Sequence, residues 1–134
     1  MRSWWLTATL AGIALSVQTY GLYRVSGPPA APWFPQIDKV EHALGFALPV
    51  FLVLVTLVLR GRALGRPGPR RTTVAVVLAA FGAHAVLSEI IQGRFYRSRS
   101  GDPLDVAADG TGIALGWLGH RLVARELDRV PVPQ

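Results

Sequence analysis

The stretch Ser88-Glu-Ile-Ile-Gln-Gly-Arg-Phe-Tyr-Arg-Ser-Arg-Ser-Gly-Asp-Pro-Leu-Asp-Val-Ala-Ala-Asp109 joins two long apolar runs. Glu89 stands just before the end of one run, and Asp105 and Asp109 just inside the start of the next. Ionised groups are costly in hydrocarbon, so carboxylates at the ends of runs long enough to span a bilayer point to a function or to a folding role.

The rest of the chain fits that setting. It has 134 residues, 51% hydrophobic and only 16% charged, against roughly 25% charged in an ordinary soluble domain. The composition indicates a small integral membrane protein with one domain spanning 1–134. Without cysteine, neither a disulfide framework nor a thiolate metal site is available. The formal charge of +6 is almost all arginine, Lys39 being the one lysine. In a membrane protein basic loops report topology and anionic headgroups, and nucleic acid is not expected as a partner.

Four apolar runs are expected to form helices, at about 4–23, 38–59, 72–92 and 103–123, giving an all-α integral membrane four-helix bundle with short loops. Each has about the length a spanning helix needs, roughly 20 residues. A cleaved signal peptide is the rival reading of the first run, but its apolar region is long for that and only Arg2 precedes it. Ala8, Gly12 and Ser16 recur at i+4 and would let another helix approach closely. Pro28, Pro29, Pro32 and Pro35 make an extended loop, in which Trp33 and Phe34 read as an interfacial anchor. Asp38, His42, Gly45 and Pro49 share a face of the second run, with Asp38 a candidate cap, Lys39 snorkelling to the interface and Pro49 expected to kink the helix. Gly82, Ala85, Glu89 and Gln92 share a face of the third. Asp102-Pro103 starts the fourth, with Asp105 placed as the second half of a capping box. Below it Asp105, Asp109, Gly112 and Gly116 share a face, the glycines forming a GxxxG. His84 reads as an interhelical hydrogen-bonding group. His120 is placed near the last turn of the fourth helix, where it suits the dipole. The tail from Arg125 is expected to fray.

With both termini cytoplasmic, nine basic residues lie inside and five outside, which favours the N-in/C-in orientation. Asp38, His42, Glu89, Gln92, Asp105 and Asp109 then lie within roughly one to two turns of the outer interface. The simplest packing turns them inward as a polar cup above a Gly/Ala seam.

Asp38-Lys39-Val-Glu-His42-Ala-Leu-Gly-Phe46 resembles the DKxxHxxxF motif of VanZ-like membrane proteins. Glu89-x-x-Gln92, Arg99-Ser-Gly-Asp-Pro-Leu-Asp105, Gly112 and Gly116 resemble the second block of that family, Arg97 lying close to the matching arginine. Asp109 stands where the family often has Asn. The resemblance implies a four-helix bacterial membrane protein. The name-giving members confer low-level resistance to teicoplanin, a glycopeptide that binds cell-wall precursors.

Three functional readings follow. In the first, Asp38, Lys39, His42, Glu89, Gln92, Arg97, Arg99, Asp102, Asp105 and Asp109 form a site for membrane lipid, a lipid-linked cell-wall precursor or a related ligand, with Lys39, His42 and the loop arginines meeting phosphate. Arg94, Arg97 and Arg99 pairing with the carboxylates is the plainer alternative. In the second, the chain is an enzyme with His42, Glu89 and Asp105 as catalytic candidates. A divalent metal (zinc, manganese or magnesium) held by His42, Glu89, Asp105 and Asp109 belongs to this reading. No HExxH or GxSxG motif accompanies it. In the third, the polar groups only join helices.

Overall fold

The computed structural model describes residues 3–24, 35–96 and 101–130. Among them are four α-helices and no strand: α1 Ser3–Tyr23, α2 Ile37–Ala63, α3 Arg71–Phe95 and α4 Pro103–Arg129. The helices begin where the apolar runs predict, but three of them end later. Arg60 and Arg62 lie inside the last turns of α2, Arg94 in the last turn of α3, and Arg125 and Arg129 within α4. The expected frayed tail is therefore helical to Arg129. Arginines end an apolar pattern without ending a helix, because each added turn still pairs its own backbone groups.

The chain alternates direction, so α2 and α4 run parallel. They make the closest packing in the molecule. A Cβ added at Gly112 would strike the carbonyl oxygen of Ala43, and one at Gly116 would lie 2.5 Å from that of Ala47. The GxxxG of α4 thus meets a matching Ala43-x-x-x-Ala47 pair on α2. Small residues on both sides let the backbones touch, the arrangement that favours close association of helices. α2 runs unbroken through Pro49, which is fully buried.

Leu22, Phe46, Val50, Leu54, Phe81 and Ala85 form the apolar core. His84 does not supply an interhelical hydrogen bond among the described residues. Its ring packs 5.7 Å from Phe46 and 6.0 Å from Tyr23, centroid to centroid. His120 is buried in mid-helix and not in a last turn, because α4 extends nine residues past it, and its Nδ1 lies 2.8 Å from the Trp117 carbonyl. On α1 the inward face is Ala11, Leu15, Gln18 and Leu22, while Gly12 and Ser16 of the small-residue stripe are exposed. That stripe therefore makes no seam within the bundle.

The two ends of the bundle differ. Trp4 and Trp5 stack at one end, with the Arg60 guanidinium 5.8 Å from the Trp4 ring. There Arg62 donates from Nη1 to the Leu127 carbonyl, which also accepts the Val130 N–H, and from Nη2 to the Val130 carbonyl, both at 2.7 Å, tying the close of α2 to the close of α4. At the other end the Tyr96 hydroxyl donates to the Tyr23 carbonyl at 2.7 Å, tying the close of α3 to the close of α1. The outward faces carry large apolar side chains, among them Leu10, Val17, Leu48, Val76, Leu87 and Leu122. Among the described residues, α2 and α3 are long and apolar enough to cross a membrane.

The seam gives a direct test. Gly112→Leu and Gly116→Leu should each lower stability by roughly 1–3 kcal/mol or more, the range for overpacking a close contact, read as a drop in thermal midpoint in detergent. Gly110→Leu is the control, since a Cβ there meets nothing within 4 Å. Equal midpoints for all three would show that the seam does not carry the packing.

Candidate functional site: a polar cup at one end of the bundle

α2 and α4 both present their N-termini at the end opposite the tryptophans, and α3 closes there. In α4 the start is built as the sequence predicts: Asp102 caps by accepting from the Leu104 N–H at 2.9 Å, and Pro103 follows it. The other half of the cap differs. The Asp102 N–H donates to Glu89 Oε2 at 3.0 Å, so a carboxylate from α3 takes the place expected of Asp105. Gly101 permits this approach: a Cβ there would sit 2.9 Å from the Glu89 carbonyl oxygen.

Asp105 is thereby free to turn towards α2. Lys39 Nζ lies 2.5 Å from Asp105 Oδ1, 2.6 Å from Asp102 Oδ2 and 2.9 Å from Asp38 Oδ2. Lys39 does not snorkel outward as expected; one ammonium draws three carboxylates together. Asp38 is not a cap either. The N-cap of α2 is Gln36, in the left-handed region at φ 64°, and Asp38 lies exposed in the first turn. Lys39 holds the Asp102 carboxyl below the usual carboxylate range, helped by the Leu104 N–H. A depressed carboxyl pKa contributes stability above the ordinary carboxylate pKa and loses it as pH falls towards the lowered value. The contribution of Asp102 is therefore complete at neutral pH and disappears only in acid.

One turn further in, His42 Nδ1 lies 2.8 Å from Asp109 Oδ1, and its Nε2 lies 3.8 Å from Asp105 Oδ2. Against an ionised carboxylate, which only accepts, Nδ1–H is the donor. Glu89 completes the group: one ligand atom each from His42, Glu89 and Asp109 fall within 4.8 Å of one another. Asp105 is outside this trio, contrary to the four-residue metal set expected from sequence, because Lys39 claims it. Gln92 is buried at the same end of α3. Arg97, Arg99, Trp33 and Phe34 lie outside the described residues, and Arg94 is exposed.

The structure thus joins Asp38, Lys39, His42, Glu89, Asp102, Asp105 and Asp109. Sequence reasoning named all of them but missed Lys39 as the common partner of Asp38, Asp102 and Asp105. The one available signal was its i, i+3 spacing to His42, which puts both on one face of α2. Comparison with known proteins found no matching family model, no matching curated protein and no matching solved structure.

Lys39 and Asp105 should behave as one unit. Lys39→Met and Asp105→Asn should each destabilise the protein, and the double variant should lose less than the sum. A coupling of about 0.5–3 kcal/mol is expected from a double-mutant cycle in detergent. Additive losses would mean that the ion pair contributes nothing beyond its separate members.

Proposed function

We propose that this chain is a VanZ-like bacterial inner-membrane protein with four spans and both termini in the cytoplasm. Its cup lies at the outer leaflet and binds the polar part of an envelope lipid or lipid-linked cell-wall precursor. Resistance to glycopeptides such as teicoplanin would follow from that binding. The observation that carries this reading is the convergence of Lys39, His42, Glu89, Asp102, Asp105 and Asp109 at one end of a bundle whose outward faces are apolar. The motif resemblance at Asp38–Phe46 and Glu89–Gly116 supplies the family. The orientation draws on the arginine balance and on Arg60, Arg62 and the tryptophans at the opposite end.

The charge of the cup refines the ligand. Lys39 is already shared among three carboxylates, so it is not a free phosphate site. The cup instead offers carboxylates, which suit an ammonium group, such as that of phosphatidylethanolamine or of a precursor's peptide. Exposed Arg94 at the close of α3 suits the phosphate of the same molecule. A second reading, a membrane-embedded enzyme acting on a lipid-linked substrate, is favoured by the closeness of His42, Glu89 and Asp109.

Two measurements test the proposal. Reporter fusions after Gly65 and at the C-terminus should both read cytoplasmic; a periplasmic C-terminus would overturn the topology. Native mass spectrometry of mildly solubilised protein should retain a lipid, and Asp105→Asn should lose it. Lipid-free protein from the unaltered chain, with the variant changing only stability, would leave a purely structural network.

A further inference from the structure

The pairing of the cup accounts for some of its carboxylate oxygens and leaves others. Asp109 is 0% exposed and Glu89 6%. Asp109 gives Oδ1 to His42, and Glu89 gives Oε2 to the Asp102 N–H. Among the described residues Asp109 Oδ2 and Glu89 Oε1 are buried with no hydrogen-bond partner. Two such oxygens beside an imidazole are expensive: a buried polar group without a partner loses its hydration and gains nothing in return. Among the described residues Lys39 is spent on the outer layer of Asp38, Asp102 and Asp105.

We infer that His42, Glu89 and Asp109 hold a divalent cation of the zinc or manganese class. The ligands are one carboxylate oxygen from each acid and Nδ1 of His42. One ligand atom from each of the three residues lies within 4.8 Å of the other two, a spacing that an ion with bonds of roughly 2.0–2.2 Å closes by small side-chain movements. The 2.8 Å between His42 Nδ1 and Asp109 Oδ1 is already a separation that two ligands of one ion adopt. When Nδ1 binds the ion, the ring proton moves to Nε2, which faces Asp105 Oδ2 at 3.8 Å. Metal-bound histidines commonly direct their second nitrogen at a carboxylate in this way. Lys39, by holding Asp105, keeps that carboxylate on the Nε2 side of the ring. A mixed imidazole and carboxylate set without thiolate suits zinc or manganese.

The inference rests on side-chain geometry and not on the lipid reading, so the two fail separately. The full chain, with any histidine tag removed and stripped with EDTA, is titrated in detergent with Zn²⁺ alone and with Mn²⁺ alone by calorimetry. One ion per chain, with a raised thermal midpoint, is expected for at least one of the two. His42→Gln and Asp109→Asn should each weaken binding by more than the roughly 10–100-fold that loss of an outer-shell partner costs, and Glu126→Gln, exposed near the far end of α4, should leave it unchanged. Should Asp109→Asn fail to fold, Co²⁺ added to the unaltered chain decides. Visible absorption bands distinct from the hydrated ion support the site, and an unchanged spectrum overturns it. No saturable binding of either ion, or binding undiminished in His42→Gln, also overturns it. Metal binding without retained lipid would sink the lipid reading alone.

Discussion

The approach of α4 to α2 at Gly112 and Gly116 is the constraint on which the rest depends. Backbone touches backbone there, and the register of the two parallel helices follows. With Gly112 against Ala43, one turn outward puts Asp109 beside His42 and the next puts Asp105 and Asp102 beside Lys39. Larger side chains at the seam would separate those pairs and leave ionised groups with neither water nor partner, a costly state near an apolar core. The parallel arrangement also sets the N-terminal dipoles of α2 and α4 at the same end, where each favours negative charge. Asp38, Asp102 and Asp105 lie within that influence.

The cup is layered. Its outer layer is an ammonium bridging three carboxylates; its inner layer is an imidazole with two buried acids. Glu89 connects the layers, since one oxygen caps α4 from the side while its carboxyl stands with His42 and Asp109. α3 is thereby fixed to the start of α4 through a side chain.

The number and type of elements were legible in the sequence because long apolar runs punctuated by Pro, Gly and Arg leave little choice. Helix ends were not, because Arg60, Arg62, Arg94 and Arg125 look like loop residues although their backbones stay paired within helices. The membership of the cup was legible from depth and shared faces. Its pairing was not. Lys39 and Asp105 are 66 residues apart, and neither helix alone records which carboxylate a cation will meet. The capping box failed for the same reason: Asp105 has the right local spacing, but Glu89 arrives from another helix. Likewise Gly12 and Ser16 have the spacing of a seam on a face that no neighbour covers, while the i+4 pair that does pack, Ala43 and Ala47, was hidden among ordinary apolar residues.

Lys39 is the only lysine in the chain, and its side chain is only 20% exposed. Amine-directed chemistry therefore has one side-chain address, and that address is the ion-pair layer itself. A lysine bonded to three carboxylates keeps its proton and is a poor nucleophile, so an acylating or cross-linking reagent finds little to react with while the bundle is closed. Reactivity at this one amine is a built-in gauge of whether the end of the bundle is shut. A single acetyl group there would replace the bridging cation with a neutral amide and leave three acids facing one another.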